Sequence, residues 1–212
     1  MTQGTQQGKL IVFEGIYGSG KIIVGLVELV RNALVQQGRA VYEIDSPDSG
    51  RAQLMGVGAL DGSWRYGRFE PDFFFELAGR SRVAAVGYDH LAKGEVVLCK
   101  SFTLSSMAYA QIKGHDWFRE DLNVLEARAR KVKGTEVVPD LTVFVDVTPE
   151  TAASELGRSL TPHFTPADLV RQRQILVEEM AKLEAGAGFS ITGSRSAEAL
   201  LPETLAAIKA IL

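Results

Sequence analysis

The 212-residue chain is predicted to be an α/β protein, with a mostly parallel five-stranded sheet flanked by helices on both faces. Three observations predict it. Short apolar or β-branched runs alternate with stretches of helical period along the sequence, the order that a parallel sheet with right-handed crossovers requires. A glycine-rich segment, Gly15-Ile16-Tyr17-Gly18-Ser19-Gly20-Lys21, lies between the first such run and the first helical stretch. The run 95–99 is largely apolar without alternation, as a strand covered on both faces is.

Residues 10–13 form the first predicted strand, and the following helix carries Leu26, Leu29, Val30, Ala33 and Leu34 on one stripe before Gly38 ends it. Residues 40–44 read as a second strand, followed by the turn-forming Asp45-Ser46-Pro47-Asp48-Ser49-Gly50. Residues 51–70 keep no steady period and are assigned to a loop with a short helical piece. Pro71 suits a helix N1 position, and 73–92 is helical in pattern, closed by Gly94. After the third strand, 95–99, two helices are predicted at 105–111 and 116–131, separated by Lys113-Gly114-His115. Pro139 and Asp140 precede the clearest strand, 141–147, and Thr148-Pro149-Glu150 opens a helix with a cap and a proline. A long helix at 166–184, a last strand at 188–192 and an amphipathic helix at 197–212 complete the series.

Length and a hydrophobic content of 46% suit one well-buried domain over 1–212. A net charge of −3, from 23 basic and 26 acidic residues, supplies no basic field and argues against a nucleic-acid partner. Cys99 is the only cysteine, which excludes an intrachain disulfide, and its strand-end setting reads as core. The polar start, residues 1–8, lacks a leader pattern, and no run reaches membrane length, so a cytoplasmic protein with no membrane association is expected.

The glycine-rich segment fits G-x-x-x-x-G-K at Gly15, Gly20 and Lys21, in the strand–loop–helix context that a phosphate-binding loop needs. Gly15, Gly18 and Gly20 let the main chain curl so that successive N–H groups point inward, and the helix N-terminus adds partial positive charge. Lys21 would reach the outer phosphates and is the candidate catalytic residue. The next position should carry a hydroxyl for magnesium, yet it is Ile22. Magnesium must then be held by other groups or held poorly, and loss of one preorganised contact commonly costs a factor of about a hundred to a thousand in rate. No metal-ligand set is predicted, since His115 and His163 have no second ligand at metal spacing.

Three segments together resemble the thymidylate kinase family nearly end to end. Its F-E-G-x-D-G-[SA]-G-K-[ST]-T opening is similar to Phe13-Glu14-Gly15-Ile16-Tyr17-Gly18-Ser19-Gly20-Lys21-Ile22-Ile23. Its D-R-Y-x-x-S-S-x-A-Y signature corresponds to Lys100-Ser101-Phe102-Thr103-Leu104-Ser105-Ser106-Met107-Ala108-Tyr109, and its P-D-L-T-x-x-L-D-V-x-P-E segment to residues 139–150. The resemblance implies a P-loop NTPase fold, ATP as the phosphoryl donor, a nucleotide acceptor such as dTMP, and a homodimer. It assigns donor binding to Gly15, Gly18, Ser19, Gly20, Lys21 and, near adenine, Arg195. It assigns acceptor binding to Pro47, Phe75, Arg80, Ser105, Ser106 and Tyr109.

The departures fall on working groups: Tyr17 replaces the loop aspartate, Ile22 the metal hydroxyl, and Lys100 and Ser101 the Asp-Arg pair. The lid is reduced to Arg158 followed by Ser159-Leu160-Thr161-Pro162-His163. On the helix that would read the base, Glu76 stands one turn before Arg80, and Phe75 lies off that face, so Phe75 either stacks on a base or packs the core. Lys100 either grips a phosphate or is solvated at a strand end; Ser105 and Ser106 either bind a ligand or cap a helix. The run Arg128, Arg130, Lys131 and Lys133 reads as a wet helix face or an anion site. Two functions follow. One is a divergent kinase whose phosphoryl transfer is weak or altered, with Glu14, Asp48 and Asp146 assisting magnesium. The other is an inactive relative acting as a nucleotide sensor or assembly subunit.

Overall fold

Leu10 and Val12 pack on one face of the central strand while Ile11 and Phe13 pack on the other, so both faces of the sheet carry a hydrophobic layer. This computed structural model describes residues 8–44, 69–112, 119–156, 165–193 and 196–212. The predicted loop at 51–70 falls almost wholly outside them, as do Pro47, Asp48, His115, Arg158, His163 and Arg195. The elements run β1 (Lys9–Glu14), α1 (Gly20–Gln36), β2 (Val41–Ile44), α2 (Phe69–Leu91), β3 (Val96–Lys100), α3 (Leu104–Ile112) and α4 (Arg119–Ala129). They continue with β4 (Lys131–Val132), β5 (Thr135–Glu136), β6 (Leu141–Asp146), α5 (Pro149–Leu156), α6 (Pro166–Met180), β7 (Gly188–Thr192) and α7 (Ala197–Lys209).

The main sheet has five strands in the order β2-β3-β1-β6-β7, and every pairing is parallel. Ile11 aligns with Leu98 on one side and Leu141 on the other, which sets β1 at the centre. Alternate side chains feed two cores, Val96 and Leu98 one way, Val97 and Cys99 the other. The larger core is completed by α1, α5, α6 and α7, and the smaller by Val83 and Ala84 of α2. Cys99 is buried, as its setting predicts.

In α1 the buried stripe is Ile23, Leu26, Val27, Val30 and Leu34, the spacing of one helix face; Leu29 and Ala33 are only partly covered. At the amino edge, Asp140 fixes the register of β1 by accepting the Leu10 N–H at 2.8 Å and the Lys9 ammonium at 2.9 Å. The loops following β1, β3 and β6 gather at the opposite, carboxyl edge, the place where open parallel sheets bind ligands.

Two predicted elements are corrected. The helix expected over 116–131 ends at Ala129, and Lys131 begins a two-stranded hairpin with Thr135–Glu136. Its two-residue turn, Lys133-Gly134, has φ of 50° and 86°, the mirror-image geometry that hairpins favour, and Lys133 lacks the asparagine or glycine that usually announces it. Of the basic run only Arg128 lies on α4, in its last turn. Arg130 pairs with Glu136 at 2.7 Å, and the Lys133 ammonium lies 5.3 Å from the centre of the Tyr88 ring. The other correction is at α2, which starts at Phe69, two residues ahead of Pro71.

Candidate functional site

The loop after β1 is closed by its own hydrogen bonds. Ser19 N–H donates to the Ile16 carbonyl at 3.0 Å, making a four-residue turn with Tyr17 and Gly18 at its centre. Gly18 has φ of 96°, and a Cβ there would lie 2.6 Å from the Ala152 carbonyl oxygen of α5, so both conformation and space require glycine. The Ser19 hydroxyl turns inward and donates to the same Ile16 carbonyl at 2.6 Å. A Cβ on Gly15 would collide with that hydroxyl, which explains the first glycine of the pattern. The first intrahelical bond of α1 runs from Ile23 N–H to Ser19 O, so the amides of Gly20, Lys21 and Ile22 precede the helical ladder. Beside them the Lys21 side chain is 82% exposed, with its ammonium 3.4 Å from Glu155.

Ile22 packs against the larger core and brings no oxygen to this mouth. Tyr17 is 41% exposed, and its N–H donates at 2.8 Å to the side-chain oxygen of Gln172, a buried residue of α6. The next residue, Arg173, grips Asp146 at the end of β6 through two bonds of 2.6 and 2.7 Å.

Glu14, the last residue of β1, is only 1% exposed. One carboxylate oxygen accepts the amides of Phe102, Thr103 and Leu104 at 2.9, 3.0 and 3.1 Å, and the other accepts the Ser105 amide at 3.2 Å. The Ser105 hydroxyl also donates to that second oxygen. Glu14 thus satisfies the orphan amides at the start of α3, with its charge at the positive end of the helix. Ser105 serves this anchor and also reaches the Gly15 carbonyl at 3.2 Å, while Ser106 is half-buried. Tyr109 packs partly buried against the larger core.

Lys100 is paired with Glu43 of the neighbouring strand at 2.8 Å, and Arg31 approaches the other Glu43 oxygen at 3.8 Å. Its side chain is thus ion-paired and mostly covered rather than solvated at the strand end. Ser101 takes the left-handed region, φ 60°, where its N–H donates to the Phe13 carbonyl at 2.8 Å. Arg80 is fully buried. Its guanidinium donates to the Phe102 carbonyl at 3.0 Å and faces Glu126 of α4 at 2.6 Å. Burial pushes the Glu126 carboxyl up, against the downward pull of the Arg80 and Arg130 charges. The side chain of Phe75 lies outside the described residues.

Gly15, Gly18, Ser19, Gly20 and Lys21 therefore lie together at the carboxyl edge, with Ser105 next to them, whereas Arg80 is drawn beneath the surface onto Glu126. Sequence reasoning missed Glu43, Glu126, Gln172 and Arg173. Gln172 left one signal, as the single polar member of the buried stripe Leu169, Gln172, Ile175 and Leu176. Among the described residues no group of three or more His, Cys, Asp or Glu side chains is placed to hold a metal ion. No described helix is long and apolar enough to cross a membrane.

A parallel sheet in this order, with a glycine loop between its central strand and the next helix, defines the P-loop NTPase fold. The family model for thymidylate kinase matches residues 13–201. The chain belongs to the thymidylate kinase family. It is 34% identical over 158 residues to a thymidylate kinase of Verminephrobacter eiseniae, covering 72% of this chain and 68% of that one. It is 28% identical over 209 residues to a probable thymidylate kinase of Thermoplasma acidophilum, covering 95% and 96%. A thymidylate kinase of Paracidovorax citrulli is 32% identical over 168 residues, with 74% and 71% covered.

Proposed function

We propose that the chain binds ATP at the turn formed by Gly15 to Lys21 and transfers its γ-phosphoryl group to a nucleoside monophosphate in a weak or altered form. The observation that carries this reading is the pairing of an exposed Lys21 ammonium with the unladdered amides of Gly20, Lys21 and Ile22, an anion-binding arrangement at a helix N-terminus. Lys21 and these amides would stabilise charge on the phosphoryl group in flight.

The described donors do not suit magnesium. Ile22 has no hydroxyl, Glu14 is spent on four amides, and Asp146 is held by Arg173. No step is therefore assigned to the metal. The same commitments favour a second reading, in which the chain binds nucleotide without efficient turnover and acts as a sensor or as a subunit of an assembly. With Arg80 buried on Glu126, the acceptor is expected to differ from dTMP or to bind it weakly.

Calorimetric titration with ATP, with and without magnesium, and a coupled kinase assay over a panel of nucleoside monophosphates test both readings. Turnover abolished by Lys21→Ala supports the kinase; magnesium-indifferent binding without turnover supports the sensor. Absence of ATP binding overturns both.

A further inference from the structure

We infer that Gln172 is a positioning residue for the phosphate loop, holding the Ile16–Tyr17 peptide so that the turn presents the amides ahead of α1; this rests on the nucleotide-binding reading above. Gln172 occupies a place on a buried apolar stripe and is only 4% exposed. A carboxamide there is costly unless it is hydrogen-bonded, whereas leucine would pack as well. Its oxygen lies 2.8 Å from the Tyr17 N–H, a contact between residues 155 apart in sequence.

That N–H belongs to the second residue of the Ile16–Ser19 turn, so the bond fixes the plane of the peptide from which the turn is built. The oxygen is itself well anchored, because neighbouring Arg173 locks the same stretch of α6 to Asp146 with two bonds. One helix thereby ties the loop after β1 to the end of β6. Replacing Gln172 with an apolar side chain would leave the Tyr17 amide against a surface that cannot accept it, and the turn would relax away from the shape shown. Binding by fixed amides is sensitive to such shifts.

The test uses the full chain, with ATP as probe. Gln172→Met keeps size and removes the acceptor. Tyr17→Pro removes the donor, since proline is well accepted at the second position of this turn, and Tyr17→Ala removes only the side chain. Gln172→Met is expected to speed hydrogen exchange at the Tyr17 amide without nucleotide and to weaken ATP about five- to tenfold, the worth of one hydrogen bond. The same loss is expected in the Tyr17→Ala background and none in the Tyr17→Pro background. Wild-type affinity in Gln172→Met, or equal losses in both backgrounds, overturns the inference. Should Gln172→Met fail to fold, equal ATP affinity of Tyr17→Pro and Tyr17→Ala overturns it. Should the wild type bind no ATP, the nucleotide reading falls, and exchange at Tyr17 alone decides: faster supports positioning, unchanged overturns it.

Discussion

Lys100 and Glu43 stand side by side at the ends of adjacent strands, 2.8 Å apart, and each occupies the room the other's charge requires. The lysine stands where the signature of the resembled family has an aspartate, and here it is paired with Glu43. Lys100→Asp alone is expected to set two carboxylates against each other and to lower stability by about 1–2 kcal/mol. The exchange Lys100→Asp with Glu43→Lys should recover most of it. Urea denaturation of both variants checks this, and a double variant no more stable than Lys100→Asp alone would refute the coupling.

The Arg80–Glu126 pair makes a larger claim. Glu126→Ala leaves a buried guanidinium short of its carboxylate and is expected to cost about 3–5 kcal/mol. Replacing both residues by methionine and leucine should cost much less than the single change. Denaturation midpoints of the two variants decide.

Glu126 also predicts a pH dependence. Its folded pKa lies above the ordinary value of 4.5, so the folded state holds the proton more tightly than the unfolded chain. Its contribution to stability is therefore greatest below the ordinary value and falls as pH rises from there through the raised one. Glu126→Gln should remove that slope. Stability curves measured from pH 4 upward, wild type against variant, test the sign.

Glu14→Gln keeps the shape of the cap on α3 but removes its charge and one acceptor, with four amides and the Ser105 hydroxyl depending on it. A loss of about 1–3 kcal/mol is expected in thermal or chemical unfolding.

Ile22→Thr returns a hydroxyl beside Lys21. ATP binding should become magnesium-dependent and turnover should rise by about tenfold or more, at a stability cost of about 1 kcal/mol for the lost apolar contact. Unchanged kinetics would count against Ile22 as a cause of the weak turnover proposed above.

The alternation of strands and helices, the glycine turn and the cap-and-proline start at Thr148 could be read from the chain because each depends on neighbours in sequence. The site was legible to the same depth: the glycines and Lys21 are local, whereas Glu14 meets α3 across 90 residues and Gln172 meets Tyr17 across 155. Such partners are brought together only by folding. The β4–β5 hairpin escaped for a local reason, because lysine rarely takes the positive φ that its turn demands. The resemblance assigns Arg80 to the acceptor, whereas its burial and its partner Glu126 leave no mark on a helical pattern and could not be read.

Thr165 and Asp168 bind each other reciprocally at the start of α6, each side chain accepting the other's backbone N–H. The helix therefore carries its own start signal, supplied by residues 165 and 168 themselves. Segments grafted between Leu156 and Thr165, including longer arginine-bearing ones, should be interchangeable modules that leave the register of α6 undisturbed.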